Sequence, residues 1–272
     1  MQKGTYMSIS VNELTDSKEN QQVWGGSQIE FSPEVLEIEK EIKETPSNPD
    51  LWMKKGLALS KSWQFREAID AYSIALSYDP FHALVYRHRG HRFVSVGMYK
   101  EAAADFELSS RIDATNWDTW YHLGLAYYLL GDYERAENAY KRCLELTKSD
   151  ELYVAIADWF WMTLKRLGKD QEAEKLLIPI SESTDPGENI SYLRRLQLYK
   201  GMISSEELLS FDDAAHPDLE LATQGYGLGV YYLVNNEKEK AFELFHRIVK
   251  ESTMWSAFGY LAAEAELNNG KE

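Results

Sequence analysis

A chain of 272 residues with 44% hydrophobic and 13% aromatic content has enough apolar surface to fold, which excludes a wholly disordered polymer. Its net charge of −15 at neutral pH excludes phosphate-led nucleic-acid binding and docking on anionic lipid as organising activities. No run approaches about 18 apolar residues, so no membrane span is expected, and the single cysteine, Cys143, excludes an intrachain disulfide.

Residues 1 to about 31 carry Gly4, Gly25, Gly26 and polar residues without a sustained period, and read as a flexible arm with Trp24 and Phe31 to pin it. Met1 to Ser10 lacks an apolar stretch followed by a cleavage site, so the sequence predicts no leader and a cytoplasmic protein. Ser32-Pro33-Glu34 is a helix start, with a capping serine, a proline in the first turn and an early acid. Val35, Leu36, Ile38 and Ile42 give that helix an apolar side and Pro46 stops it, so residues 32–48 are predicted as a lead-in helix.

From residue 49 one pattern recurs every 34 residues, starting at Pro49, Ala83 and Trp117. The first unit shows Trp52, Gly56, Leu59, Ala68 and Tyr72; the second, Tyr86, Gly90, Phe93, Ala102 and Phe106; the third, Trp120, Leu123, Gly124, Tyr127, Ala136 and Tyr140. Each reads as two short antiparallel helices. The small residues Gly124 and Ala136 let the backbones approach while the bulky ones fill the space around them. Gly131 suits a left-handed turn and Asp132 a cap for the second helix. Cys143 falls at a small core position.

A fourth unit starts near Val154, with Leu164, Gly168, Ala173 and Leu177. A fifth, from about Glu188, is degenerate because Glu207 stands at the small-residue position. The sixth starts near Ala222 with Leu228, Gly229, Ala241 and Phe245, and Asn236 can take its left-handed turn. A last helix, 255–267, reads as the cap that a terminal repeat needs. One hairpin cannot bury its apolar face alone, so residues 49–272 are expected to stack as a single solenoid.

These motifs resemble the tetratricopeptide repeat (TPR) family over about residues 49–267. The resemblance implies an all-α, right-handed superhelix of antiparallel hairpins whose concave surface is lined by the first helix of each repeat and which holds peptides or partner proteins. The layout of standard repeats, an irregular hairpin and a final repeat is also similar to bacterial TPR lipoproteins that act as adaptors for cell-wall hydrolases. No cysteine for lipid attachment stands near the amino terminus.

The run Arg87-His88-Arg89-Gly90-His91-Arg92 is the most distinctive local feature. On a 3.6-residue period Arg87, His88 and His91 fall toward the concave side, and Tyr121, His122 and Tyr128 follow in the next repeat. In the fourth repeat Trp159 and Met162, alongside Lys165 and Arg166, are expected to face the groove, with Phe160 and Trp161 in the core. Together they predict a basic and aromatic floor for a protein or peptide partner, expected to be acidic. The arm carries Glu13, Asp16 and Glu19, a possible occupant from the same chain. Arg89 is expected to pair with Asp105 across the hairpin. Chaperone-binding TPRs clamp a carboxylate with lysine, asparagine and arginine at positions held here by Met53, Leu57, His88, Asp118 and His122, so that route is not expected; Lys54, Lys61 and Arg87 remain as anion contacts.

Other motifs carry less. Gly225-Tyr226-Gly227-Leu228-Gly229 is not a dinucleotide fingerprint, because its third glycine is early and no strand precedes it. His216-Pro217-Asp218 copies a J-domain tripeptide but reads as a turn before the sixth repeat. No nucleophile elbow, phosphate loop or paired-cysteine motif occurs, so neither an enzyme nor a cofactor is predicted. Convergence of His88, His91 and His122 on a metal is not expected, for want of a carboxylate or cysteine at ligand spacing. Trp255, Phe258 and Tyr260 raise a second arrangement, a homo-oligomer joined through the C-terminal helix; a regulator whose pitch responds to an acidic effector is a third.

Overall fold

The computed structural model describes residues 30–211 and 215–269, so of the expected arm only Glu30 and Phe31 fall within them. Among the described residues the chain forms fourteen α-helices and no strand. Helix α1 (Pro33–Glu44) starts as its sequence dictates: Ser32 accepts a hydrogen bond from the Val35 amide at 3.3 Å, and Val35, Ile38 and Ile42 are buried. It lies against α2 (Pro49–Lys61), which pairs with α3 (Phe65–Tyr78) to make the first hairpin.

Two further hairpins follow, α4 (Ala83–Ser95) with α5 (Tyr99–Ile112) and α6 (Trp117–Leu129) with α7 (Tyr133–Glu145). The contact that repeats is a glycine against a ring. Gly56, Gly90, Gly124 and Gly229 face Tyr72, Phe106, Tyr140 and Phe245, and a methyl at Gly124 would come within 2.5 Å of the Tyr140 ring. Gly131 takes the left-handed turn at φ 74° and Asn236 does so at φ 64°, as the sequence predicts. In the first hairpin the same turn falls on Trp63, at φ 61°. That conformation costs a non-glycine residue roughly 1–2 kcal/mol, offset by packing of the indole on Phe65 and Trp255, both at 5.9 Å.

The second half departs from the regular frame. Helix α8 (Asp150–Arg166) starts ahead of Val154 because the Ser149 hydroxyl caps the Leu152 amide, and it pairs with the short α9 (Asp170–Leu177). Next, α10 (Ile190–Tyr199) has as its hairpin partner the four-residue α11 (Ser205–Leu208), where Ser204 and Glu207 form a capping box. That box is the role of the glutamate at the small-residue position. Helix α12 (Pro217–Val234) starts at Pro217 rather than near Ala222, so His216-Pro217-Asp218 is a helix start and not a separate turn. The Asp218 carboxylate accepts a hydrogen bond from the Thr253 hydroxyl at 2.7 Å.

Four residues of α11 cannot cover α10, and α12 closes on the uncovered side. Helix α10 packs between α8 and α12, and α12 also touches α8. The solenoid therefore turns inward, and α14 (Phe258–Asn269), which follows α12 and α13 (Lys238–Glu251), reaches α6. Trp255 lies 5.6 Å from the Phe65 ring, while Phe258 lies 5.6 Å from His91 and 5.7 Å from His122. The last helix thus lies against α6, with Phe258 among the histidines of α4 and α6.

One buried ion pair holds this joint. Arg195 on α10 places a guanidinium nitrogen 3.0 Å from the Asp158 carboxylate on α8, with both side chains wholly buried. The same guanidinium donates to the Thr223 carbonyl at 3.2 Å and meets the Met162 sulfur at 3.0 Å. A methyl at Gly227 would fall 2.1 Å from Arg195 Nε, so this glycine in the Gly-Tyr-Gly-Leu-Gly run makes room for an arginine. Burial raises the Asp158 carboxyl to about 7, with Arg195 opposing the rise.

Candidate functional site

The first helices of neighbouring hairpins touch one another, α2 with α4, α4 with α6 and α6 with α8, and so line one inner face. Between α1 and the first two of them lies a pocket of about 870 Å³. Arg87, His88 and His91 line it from α4, together with Arg92, which the sequence reading did not select. Its spacing of four from His88 was the available signal. Lys54 and Lys61 come from α2 and Glu34 and Glu37 from α1, while Ile38, Leu57 and Tyr72 supply apolar surface.

The charges in the pocket are unequally engaged. Arg87 pairs with Asp118, although its Nε is buried without a hydrogen-bond partner, and Lys61 pairs with Glu34 at 2.8 Å. Arg92 lies over the Phe65 ring at 4.6 Å. The histidines add no charge at neutral pH. Burial first, then Arg87 and Arg92, lowers His88 to about 4; the same causes lower His122 to about 3, and His91 is driven well below its ordinary value by burial and by His122. His88 stacks on Tyr72 at 5.9 Å, and the His91 and His122 rings are 4.6 Å apart.

The rest of the expected floor is covered, which corrects its expected accessibility. Tyr121, His122, Tyr128, Trp159 and Met162 are all buried. Tyr121 stacks on Trp117 at 5.3 Å; His122 lies between Phe106 and Phe258, its Nδ1 donating to the Asp118 carbonyl at 2.8 Å. The Tyr226 and Tyr128 hydroxyls lie 2.9 Å apart in a hydrogen bond, and the Tyr226 ring stacks on Trp159 at 5.8 Å. Met162 is sealed by Arg195. Lys165 pairs with Asp170 at 2.5 Å, and Arg166 pairs with Glu266 of α14, which also accepts from Tyr226 at 3.2 Å. The cause is the inward turn described above: α10, α12 and α14 lie over these residues, a contact no local period encodes.

The expected pairing across the second hairpin is present. Arg89 donates to both Asp105 oxygens, at 2.7 and 2.8 Å, and to the Ser73 hydroxyl at 3.0 Å. Cys143 is buried, and burial pushes its thiol up, out of the reactive range. Among the described residues no group of three or more His, Cys, Asp and Glu side chains is placed to hold a metal ion, and no helix is long and apolar enough to cross a membrane.

Stacked antiparallel hairpins whose first helices share an inner face define an α-solenoid of the kind built for binding other chains. Residues 117–149 match the sequence profile of the tetratricopeptide repeat family. The chain is 31% identical over 101 residues to the heat-shock protein cognate (HSC) co-chaperone sgt12 of Aspergillus fumigatus, a stretch covering 37% of this chain and 29% of that protein. It is 25% identical over 183 residues to the small glutamine-rich tetratricopeptide repeat-containing protein 2 of Saccharomyces cerevisiae, covering 67% of this chain and 51% of that one. The chain therefore corresponds to about half or less of these curated relatives. Among solved structures it is similar in fold to YrrB, a TPR protein described as having an unusual peptide-binding site, with a TM-score of 0.50 and 23% identity over 85% of this chain and 97% of that one.

Proposed function

We propose that the chain is a protein-interaction scaffold that holds a short peptide or partner segment in the pocket between α1 and the first two hairpins. The observation that carries this reading is the pocket itself, where the inner face stays open and Arg87, His88 and His91 meet apolar Ile38 and Leu57. The Aspergillus co-chaperone and the peptide-binding YrrB support a peptide or protein as the ligand class. In this reading Arg87, His88 and His91 contact the ligand, and Tyr121, His122, Tyr128, Trp159 and Met162 form the packed body that holds α4 in place. An arginine-bearing pocket in a chain of net charge −15 favours an acidic segment and disfavours a basic one.

The test is site-specific photocrosslinking in extracts, with a benzophenone side chain at Leu57 in the pocket or at Glu101 on exposed α5. The expected result is a partner peptide attached at Leu57, mapped by mass, and lost in the Arg87→Ala/His91→Ala variant. Attachment at Glu101 alone, or at Leu57 regardless of the double variant, overturns the proposal.

A further inference from the structure

We infer that Arg92 and Lys54 are the anion receptors of this pocket, and that its ligand is a short peptide segment presenting two carboxylate side chains around an apolar residue. The inference rests on the pocket reading above and names its chemistry. It follows from the charge left over once every pair is counted. Arg87 is held by Asp118, Lys61 by Glu34, and Glu37 by Lys40 at 2.7 Å. Arg92 and Lys54 have no carboxylate partner among the described residues. A half-buried guanidinium lying 4.6 Å over the Phe65 ring, with no ion pair to a described carboxylate, is a charge partly withdrawn from water, and a carboxylate is the group its fork of donors fits. Burial lowers the Arg92 pKa, Tyr72 opposes that fall, and Arg87 adds to it.

The neutral histidines refine the match. His88 Nδ1 accepts from Arg87 at 3.4 Å, so its proton lies on Nε2, a donor for a carboxylate or a carbonyl. Ile38, Leu57 and Tyr72 call for an apolar side chain between the acids. The segment is short because the groove ends here: Phe258 covers His91 and Trp255 covers Phe65, the ring beneath Arg92. A volume of about 870 Å³ lies within the roughly 300–1,000 Å³ of pockets that enclose compact ligands, room for a few residues and not for a strand running on along α6.

The test is fluorescence anisotropy on the full chain with labelled hexapeptides that place two glutamates at every spacing among leucine and alanine, beside sets with glutamine or lysine in place of glutamate. The expected result is binding within the glutamate set alone, weakened about tenfold or more by Arg92→Gln, abolished by Arg92→Glu, and weakened less by Lys54→Ala. Arg92→Gln keeps a side chain against Phe65, and equal melting temperatures confirm that the fold is intact. Equal affinity for the Arg92→Glu variant and the intact chain overturns the receptor assignment and leaves the pocket reading standing, as does equal binding of the glutamine set. Absence of binding by all three sets overturns both. Free glutarate binding as tightly as the best peptide overturns the peptide assignment in favour of a small dicarboxylate.

Discussion

Replacing Arg195 with methionine tests how the C-terminal hairpin is held over the inner face. The variant keeps a long, flexible side chain but leaves the buried Asp158 without its cation. Removing one half of a buried pair costs roughly 3–5 kcal/mol. The rings of Trp159 and Tyr192, 5.5 and 5.4 Å from the guanidinium, lose a cation–π contact worth about 0.5–2 kcal/mol more. The pH dependence is the sharper signature. Burial places the folded Asp158 carboxyl at about 7, against an ordinary value of 3.8. Between those values the folded state holds a proton that the unfolded chain releases, so this group's stabilisation is fully present below 3.8 and is lost as pH rises through 7. Arg195 opposes that loss by favouring the ionised carboxylate. Without it the carboxyl rises further, and the penalty for Arg195→Met is larger at pH 8 than at pH 5. Urea unfolding followed by tryptophan fluorescence at both pH values, with hydrogen exchange across α10 and α12, measures it. A penalty below about 1 kcal/mol, or one equal at the two pH values, refutes the reasoning. The double variant Arg195→Met/Asp158→Leu should recover most of the loss, because it removes the buried charge altogether.

Gly227→Ala should destabilise by about 1–3 kcal/mol through displacement of Arg195, despite the roughly 1 kcal/mol that alanine favours a helix; a stabilised variant in the same urea assay would show that Arg195 yields freely. Arg89→Leu should cost about 1.5–3 kcal/mol by leaving buried Asp105 unpaired, and a midpoint within error of the parent's would mark the pair as idle. Phe258→Ala should uncover His91 and His122, moving their NMR titrations up toward 6.5; unchanged titrations would show that another group covers them. His88 and His122 hold folded values of about 4 and 3, so the unfolded chain takes up protons first and the stability they contribute is lost as pH falls below 6.5. In an Asp158→Asn background, which removes the opposing carboxyl raised to about 7 and leaves the raised carboxyls of Asp105, Glu264 and Glu266, the urea midpoint should fall from pH 6.5 to 4.5, and a rising midpoint would contradict that sign.

Much of the fold was legible because each repeat is a local object. Gly124 and Tyr140, Arg89 and Asp105, and the turn at Asn236 all lie within one hairpin, where helical period and spacing decide who meets whom. The Arg195–Asp158 pair and the Glu266–Arg166 pair were not legible, since they join different repeats across the inner face. The candidate site divides along the same line. Arg87, His88 and His91 open into a pocket as their period on α4 indicates, whereas Tyr128, Trp159 and Met162 share that inward direction but meet Tyr226 and Arg195 instead of a groove.

The sequence by itself determined the first three hairpins, their 34-residue phase and the faces their side chains take, because these follow from backbone geometry repeated every few residues. It also marked the fifth repeat as irregular through Glu207. Only the tertiary structure decided which part of the inner face stays open. Four residues of α11 leave α10 uncovered, α12 and α14 close over hairpins three and four, and the outcome depends on packing between segments distant in the chain.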